Sequence, residues 1–202
     1  MNLDSGRIGL LGDSKGAEAA LLLASRDRRI KAVVAGAPSS VVWQGYNNPT
    51  NFINAGPSWT VGGKPVPFVP YDRSIPFTNV LDLYQRSLAK APCDAVLPVE
   101  RIRGPIFLVS GREDKLWPSS RMGDAIMTRL DRAKFPFAHT HLAYDAAGHQ
   151  GFGEPVASPT SFAPAMLNLF GGTASGNMAM RADSWPKILA FFDTALMLDR
   201  RS

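Results

Sequence analysis

Five residues, Gly12 to Gly16, match the pattern Gly-x-Ser-x-Gly with a serine at its centre. This pattern is typical of a nucleophilic serine held on a sharp turn between a strand and a helix, and a match carries weight only in that setting. Here an apolar run at residues 7–11 precedes the pattern, and strong helix formers at residues 17–24 follow it. We therefore predict that Ser14 is the nucleophile of a serine hydrolase.

A serine nucleophile needs a base, and the chain has three histidines, His139, His141 and His149. The first two begin a strand pattern, whereas His149 follows that pattern in a glycine-flanked loop. Such a loop can bring an imidazole over Ser14. We predict His149 as the general base and expect the other two histidines to be structural or exposed strand residues.

A carboxylate must orient the imidazole, and in hydrolases with this elbow it lies between the serine and the histidine in the chain. Asp114 follows a predicted strand directly and is our candidate, with its neighbour Glu113 as the competing one. We expect Asp13 to point away from the serine and to brace the turn. The backbone N–H of Lys15 is the predicted oxyanion donor, an interaction typically worth about 3 kcal/mol in the transition state.

The elements that must position these side chains alternate between strands and helices, which predicts an α/β fold with a mostly parallel sheet flanked by helices. The predicted strands are residues 7–11, 30–35, 105–110 and 141–144. The predicted helices are residues 17–24, 79–88, 119–130 and 184–198. The last helix is expected to begin with Ser184 as its cap and Pro186 in its first turn.

Two segments, residues 36–78 and 150–182, are rich in glycine, proline and asparagine and predict long loops. The first is rich in aromatic residues and contains residues 59–66, which predict a small hairpin turning at two glycines. Its aromatic residues form either a local core or a substrate wall beside the C-terminal ends of the strands. We expect a pocket-forming insertion at about residues 36–78, with Trp43 and Trp117 as candidate pocket residues.

The composition of the chain limits which other classes of function it can have. The chain has 202 residues, of which 45% are hydrophobic, and this length predicts one domain. The net charge of +5 favours an anionic ligand only weakly, and no motif for reading nucleic acid occurs. The single cysteine, Cys93, excludes an intrachain disulfide, and we expect neither a metal nor a cofactor. We find no membrane span or signal peptide and expect a cytoplasmic protein.

Several stretches together resemble one known family. They are residues 8–18, 30–34, 39–45, 111–119, 142–149 and 182–192, and the most specific is Lys115-Leu116-Trp117-Pro118-Ser119. From about residue 7 to residue 198 the chain resembles the C-terminal catalytic domain of the acyl-CoA thioester hydrolase and bile-acid-CoA:amino-acid N-acyltransferase family. The resemblance implies an α/β-hydrolase fold.

The family's catalytic triad falls on Ser14, Asp114 and His149. The resemblance implies hydrolysis of an acyl-CoA thioester through an acyl-enzyme intermediate, with CoA entering only as part of the substrate. Family members that transfer the acyl group to an amino acid use cysteine as the nucleophile. Ser14 therefore favours hydrolysis over conjugation.

The sequence departs from this family at its beginning, where we find neither the N-terminal β-sandwich domain nor the early strands of the hydrolase sheet. We expect a single, N-terminally truncated domain without the loop that completes the oxyanion hole. Its first strand would be an exposed edge, which a missing segment or a homodimer would cover. Two alternatives stay open: an esterase or lactonase resembling dienelactone hydrolase, and an inactive fragment that needs a partner segment.

Overall fold

The computed structural model describes residues 4, 6–46, 56–76 and 78–197. Its strands are β1 (Ile8–Asp13), β2 (Ile30–Gly36), β3 (Thr60–Val61), β4 (Lys64–Pro65), β5 (Ile106–Gly111) and β6 (His139–Tyr144). Its α-helices are α1 (Lys15–Ala24), α2 (Val80–Ala89), α3 (Ser119–Arg132), α4 (Pro164–Phe170) and α5 (Ala174–Met197). The principal sheet has the order β1-β2-β5-β6, and each of its three pairings is parallel. The predicted α/β class and the mostly parallel sheet are confirmed.

The sheet is covered by helices on both faces, which explains its apolar strands. The two inner strands, β2 and β5, are buried almost throughout, as expected for parallel strands packed on both sides. On one face Leu21 of α1 and Ile126 of α3 share a core with Leu108 of β5. On the other face Ile188 of α5 packs with Val34 of β2. Because the four strands are parallel, their C-terminal ends lie at the same edge of the sheet.

Strand β1 lies at the end of the sheet order, as the sequence predicts for the first strand. Its side chains are only half-buried, and Leu11 is 45% exposed. Leu23 on the neighbouring helix is 49% exposed. The side of the sheet formed by β1 is thus more exposed than its centre, and part of the exposed surface is apolar. None of the helices in the described part of the chain has both the length and the apolar character needed to cross a membrane.

The end of the chain differs most from the predicted elements. Helix α5 begins at Ala174, ten residues before the predicted start at Ser184, so Pro186 lies inside the helix and Ser184 is a buried interior residue. The prediction followed the local preference of proline for a first turn. Packing of the first turns of α5, including the buried Asn177 and Met180, outweighs that preference. The loop predicted at 150–182 accordingly contains α4 and part of α5, while the predicted end at Leu198 lies outside the described residues.

The segment predicted as an insertion contains the expected hairpin. Strands β3 and β4 pair in antiparallel fashion around Gly62 and Gly63, with φ values of +56° and +78°. Backbone with positive φ at both turn positions favours glycine because a Cβ would be strained there. Residues 47–55 and 77 of this segment, including Phe52, lie outside the described part of the chain.

The aromatic residues that flank the hairpin form a core. Trp43 packs edge-on against Tyr84 at 4.8 Å between ring centroids and stacks near Trp117 at 6.4 Å. Trp43 is 0% exposed and Trp117 is 1% exposed. This burial corrects the prediction that the two tryptophans line a substrate pocket, because neither offers surface to a ligand. The alternative of a local aromatic core describes both residues, since rings of this size are stabilised most by packing against each other.

Candidate active site

Ser14 occupies the turn between β1 and α1 in a strained backbone conformation. Its φ is +56° and its ψ is −121°, a combination that residues other than glycine seldom adopt. The turn is held in place because the Ser14 N–H donates to the Gly36 carbonyl at 2.9 Å. The Ser14 carbonyl in turn accepts from Glu18 N–H at 3.1 Å. These bonds hold the serine at the C-terminal edge of the sheet, which is the elbow geometry that the sequence pattern predicts.

The two glycines of the pattern have different structural roles. A Cβ on Gly12 would lie 2.2 Å from the Gly16 carbonyl oxygen and 2.8 Å from the Ala17 nitrogen. A Cβ on Gly16 would meet nothing within 4 Å. The strand passes so close to the start of the helix that position 12 must be glycine. At position 16 only the backbone takes part in this contact, so a side chain there would fit.

We expect Gly12→Ala to destabilise the fold by about 2–3 kcal/mol, because its methyl group would collide with backbone atoms that cannot move independently. Gly16→Ala is the matched control and should be neutral or stabilise α1 by up to about 1 kcal/mol, because alanine favours helix. Urea unfolding followed by circular dichroism would give both free energies. Equal stability of the two variants would contradict the close approach at Gly12.

His149 is brought over the elbow by a short 3-10 turn, His149–Gly151, that follows β6. Its Nε2 lies 2.8 Å from the Ser14 Oγ. Its Nδ1 lies 2.8 Å from the Asp114 Oδ2. His149 is 6% exposed, and its ring stacks on Phe170 at 5.8 Å and makes an edge contact with Trp117 at 5.6 Å. These contacts fix both the position and the plane of the imidazole.

Asp114 follows β5 and accepts hydrogen bonds at both carboxylate oxygens. Its Oδ1 accepts from the N–H groups of Leu116 at 2.9 Å and Trp117 at 3.2 Å. Its Oδ2 faces His149 and also accepts from the Ser119 hydroxyl at 2.6 Å. Asp114 is 6% exposed and Ser119 is 0% exposed. Sequence reasoning did not identify Ser119, although its place at the start of α3, five residues after the acid, was a signal for it.

The structure thus brings three of the predicted residues, Ser14, His149 and Asp114, into one hydrogen-bonded row. With a proton on Nδ1, the imidazole donates to Asp114 and leaves Nε2 free to accept the proton of the serine hydroxyl. Glu113 does not join this row: it is exposed, and its backbone N–H donates to the Ala147 carbonyl. The geometry therefore separates the two neighbouring acids, which the sequence alone left in competition.

The other two histidines make structural contacts, as the sequence predicts. His139 Nε2 lies 2.9 Å from Asp131 Oδ1 near the surface. His141 lies 2.7 Å from the Ser110 Oγ and 3.0 Å from Asp124 Oδ1. This second row of serine, histidine and aspartate has a fully buried serine, so a substrate has no access to its hydroxyl. It connects α3 to β5 and β6.

The side chain of Lys15 has a role that the sequence did not reveal. Its Nζ donates to Glu18 Oε1 at 2.7 Å and to Ser58 Oγ at 2.8 Å. Glu18 is 0% exposed and also accepts from the Trp59 indole N–H at 2.7 Å. Burial lowers the pKa of Lys15 and raises that of Glu18, and each charge partly offsets the effect on the other. The network connects the elbow helix to the hairpin, and an acid within an apolar helix was its signal in the sequence.

The backbone N–H of Lys15 is one of the first N–H groups of α1. Such groups have no carbonyl partner within their own helix and carry the positive end of the helix dipole. An oxyanion beside Ser14 would therefore meet a donor at this position.

No group of three or more His, Cys, Asp or Glu side chains suited to a metal ion occurs in the part of the chain that the structure describes.

Asp13, beside the nucleophile, is surface-accessible along β1, although protein atoms surround much of its carboxyl group. This partial burial raises the pKa of Asp13 to about 6, and the neighbouring His149 and Arg181 partly offset the rise. Arg181 is held by the Gln150 carbonyl, to which its Nη2 donates at 2.9 Å. The charge of Asp13, the residue directly before Ser14, therefore changes between about pH 5 and pH 7.

Comparison with known proteins agrees with this architecture. The family model described as "BAAT / Acyl-CoA thioester hydrolase C terminal" matches residues 2–198. A peroxisomal succinyl-coenzyme A thioesterase from Mus musculus is 27% identical over 198 residues, covering 92% of this chain and 43% of its own length. An acyl-coenzyme A amino acid N-acyltransferase 1 from Mus musculus is 35% identical over 107 residues, covering 50% of this chain and 25% of its own length. The chain thus spans less than half the length of these relatives.

Solved structures agree on the fold. A puromycin-hydrolyzing peptidase from Mycobacterium tuberculosis matches 96% of this chain with a TM-score of 0.50 and 14% identity, and the match covers 22% of that chain. At this identity the likeness concerns the fold alone. Together with the parallel sheet and the elbow, it indicates the architecture of an α/β hydrolase.

Proposed function

The chain belongs to the BAAT / acyl-CoA thioester hydrolase C-terminal family, and from that membership we propose that it is a serine hydrolase that cleaves acyl-CoA thioesters to a free acid and CoA. The observation that carries the proposal is the row from Ser14 through His149 to Asp114, with 2.8 Å at each step. Ser14 lies on the turn between β1 and α1 and has the strained conformation expected of an exposed nucleophile. Family membership indicates a thioester substrate. The row of Ser14, His149 and Asp114 contains the groups that could attack it.

In the proposed reaction Ser14 Oγ attacks the thioester carbonyl carbon while His149 Nε2 takes the hydroxyl proton. The oxyanion of the tetrahedral intermediate accepts a hydrogen bond from Lys15 N–H at the start of α1. The carbon–sulfur bond then breaks, and the departing CoA sulfur takes the proton from His149. This step leaves the acyl group as an ester on Ser14.

Deacylation repeats these steps with water. His149 removes a proton from a water molecule, whose oxygen attacks the ester carbonyl. The second tetrahedral intermediate collapses, the Ser14 oxygen leaves and recovers the proton from His149, and the free acid departs. Asp114 orients the ring through its bond to Nδ1 and stabilises the imidazolium that forms in each half of the reaction.

The relatives support hydrolysis of a CoA thioester in different degrees. The thioesterase relative matches nearly the whole chain, and its name specifies succinyl-CoA, whereas the N-acyltransferase match covers half the chain. In the family, transfer to an amino acid is associated with a cysteine nucleophile, so the serine at position 14 favours water as the acceptor. We infer a thioesterase, and the chain-length panel below identifies its acyl group.

Thiol release from a panel of acyl-CoAs of increasing chain length tests this function. Each acyl group is also offered as an oxygen ester of the same length. A thioesterase should show the larger kcat/KM with the thioester of each pair. A preference for the oxygen ester would instead support the esterase or lactonase alternative, and no turnover of either kind by folded protein would contradict both.

Ser119→Ala should lower kcat by about tenfold and leave KM unchanged, because it removes a charge-assisted bond from the oxygen that orients His149. Ser119 is fully buried, so its loss alters no surface that a substrate could touch. Ser120→Ala, at the next position of α3, is the matched control and should retain wild-type kinetics. Steady-state kinetics with thermal unfolding of both variants separates the effect on catalysis from a loss of stability. An unchanged kcat would contradict the role of Ser119.

A further inference from the structure

A cavity of about 380 Å³ lies beside the turn that carries Asp114. Its described lining consists of Asn79, Val80, Leu81, Lys115, Asn168 and Leu169. The first three residues come from the beginning of α2 and the last two from α4. A larger cleft of about 490 Å³ lies elsewhere, along β6 around His141 and Tyr144. Of these two, the smaller cavity has the lining that adjoins the proposed catalytic row, through Lys115 next to Asp114 and Leu169 next to Phe170.

The wall of this cavity and the catalytic row share the same backbone. Lys115 directly follows Asp114, and its N–H donates to the Phe170 carbonyl at 3.2 Å. Phe170 stacks on His149 and directly follows Leu169 of the lining. Asp114 also forms a backbone bridge with Gly171, so the acid turn and the end of α4 are held together. A molecule bound in the cavity would lie against the elements that position the imidazole and its acid.

Charge and polarity define what the cavity could bind. Among its described lining residues Lys115 is the cation and no carboxylate is present. Lys115 is exposed, and its ammonium forms no ion pair within the part of the chain that the structure describes. Asp82 of α2, three residues after Asn79 of the lining in the chain, has its own partner, Arg86, at 3.4 Å. Leucine and valine side chains and two amides complete the lining, so the cavity suits an anionic group attached to a partly apolar chain.

We propose that this cavity binds an anionic group of the thioester substrate through the ammonium of Lys115. The proposal rests on the proposed function, because it concerns the substrate of the same site. Two parts of an acyl-CoA offer this chemistry: the phosphates of CoA, and a carboxylate at the far end of a dicarboxylic acyl group. Both are anions on flexible chains, and both would be drawn to a cation without a counter-ion.

Four thioether probes distinguish the two sources without requiring turnover. They are the S-butyl and S-(3-carboxypropyl) thioethers of CoA, and the same two thioethers of pantetheine, which lacks phosphate. Each is titrated calorimetrically onto the wild-type chain and onto Lys115→Gln. If phosphate is the bound anion, the substitution should raise Kd about tenfold for both CoA probes. If the carboxylate is bound, Kd should rise about tenfold for both carboxypropyl probes instead.

S-butyl pantetheine carries neither anion, and its Kd should stay the same in both proteins. Lys187→Gln, the same substitution on the distant α5, serves as the matched control and should change none of the four values. Kd values within twofold of wild type for all four probes on Lys115→Gln would overturn the anion site. Failure of the proposed function would appear separately, as no thiol release from acyl-CoAs by the wild-type chain, because the thioether probes measure binding alone.

Discussion

Replacing Ser14 with alanine is expected to lower kcat for acyl-CoA hydrolysis by roughly 10⁴- to 10⁶-fold, the loss seen when a hydrolase loses its nucleophile. Alanine retains the backbone but removes the Ser14 Oγ, which lies 2.8 Å from His149 Nε2. No acyl-enzyme can then form, and water must attack the thioester without covalent help. Thiol release under saturating substrate, with trapping of the acyl-enzyme by mass spectrometry in the wild type, measures this effect.

The double variant Ser14→Ala, His149→Ala gives a stricter test of the same row. If the two residues act as one unit, the second substitution should cost almost nothing once the first is present. Each single variant should therefore resemble the double variant in kcat. Full activity of Ser14→Ala, or strictly additive losses, would show that the hydroxyl and the imidazole do not act together.

Asp114→Asn should lower kcat by roughly 10³- to 10⁴-fold with little change in structure. The amide nearly matches the carboxylate in shape, but its NH₂ group cannot accept the Nδ1 proton of His149 as Oδ2 does at 2.8 Å. The imidazole is then held in the wrong tautomer, with Nε2 protonated and unable to accept from Ser14. Steady-state kinetics together with an unchanged thermal unfolding curve would identify this as a catalytic defect.

Glu113→Gln is the matched control for this experiment, because it makes the same chemical change one residue away. The exposed Glu113 side chain lies outside the row, so its substitution should leave kcat within about twofold of wild type. A large loss in Glu113→Gln with a small one in Asp114→Asn would show that Glu113, and not Asp114, orients the imidazole. Comparable losses would point to a shared role for the turn.

The sequence predicted the alternation of strands and helices well, because periodicity and propensity are local properties. The hairpin at Gly62 and Gly63 was equally predictable, since consecutive positive φ values favour glycine. Helix α5 was not, because its first ten residues lack a strong local helix signal and its interior contains Pro186. Its early start depends on packing against the loop that carries His149, where Asn177 accepts from Gly148 N–H at 2.8 Å.

The aromatic residues near the hairpin illustrate the limit of composition as evidence. A run of aromatic residues after β2 fits either a core or a pocket, because both are apolar. Only the three-dimensional packing showed that Trp43 and Trp117 face each other and Tyr84 instead of solvent. The domain boundaries, the absence of a cofactor and any homodimer remain predictions.

What the sequence by itself determined was the chemistry available: a serine on an elbow between strand and helix, and an acid and a histidine in loops after later strands. Parallel strands bring those loops to one edge of the sheet, so the sequence alone predicts that Ser14, Asp114 and His149 lie near one another. Their catalytic roles remain proposals for the kinetic tests above. The tertiary structure decided the choice between Glu113 and Asp114, the bond from Ser119 and the cavity at Lys115. These depend on side-chain direction and on contacts between residues distant in the chain, which no local pattern encodes.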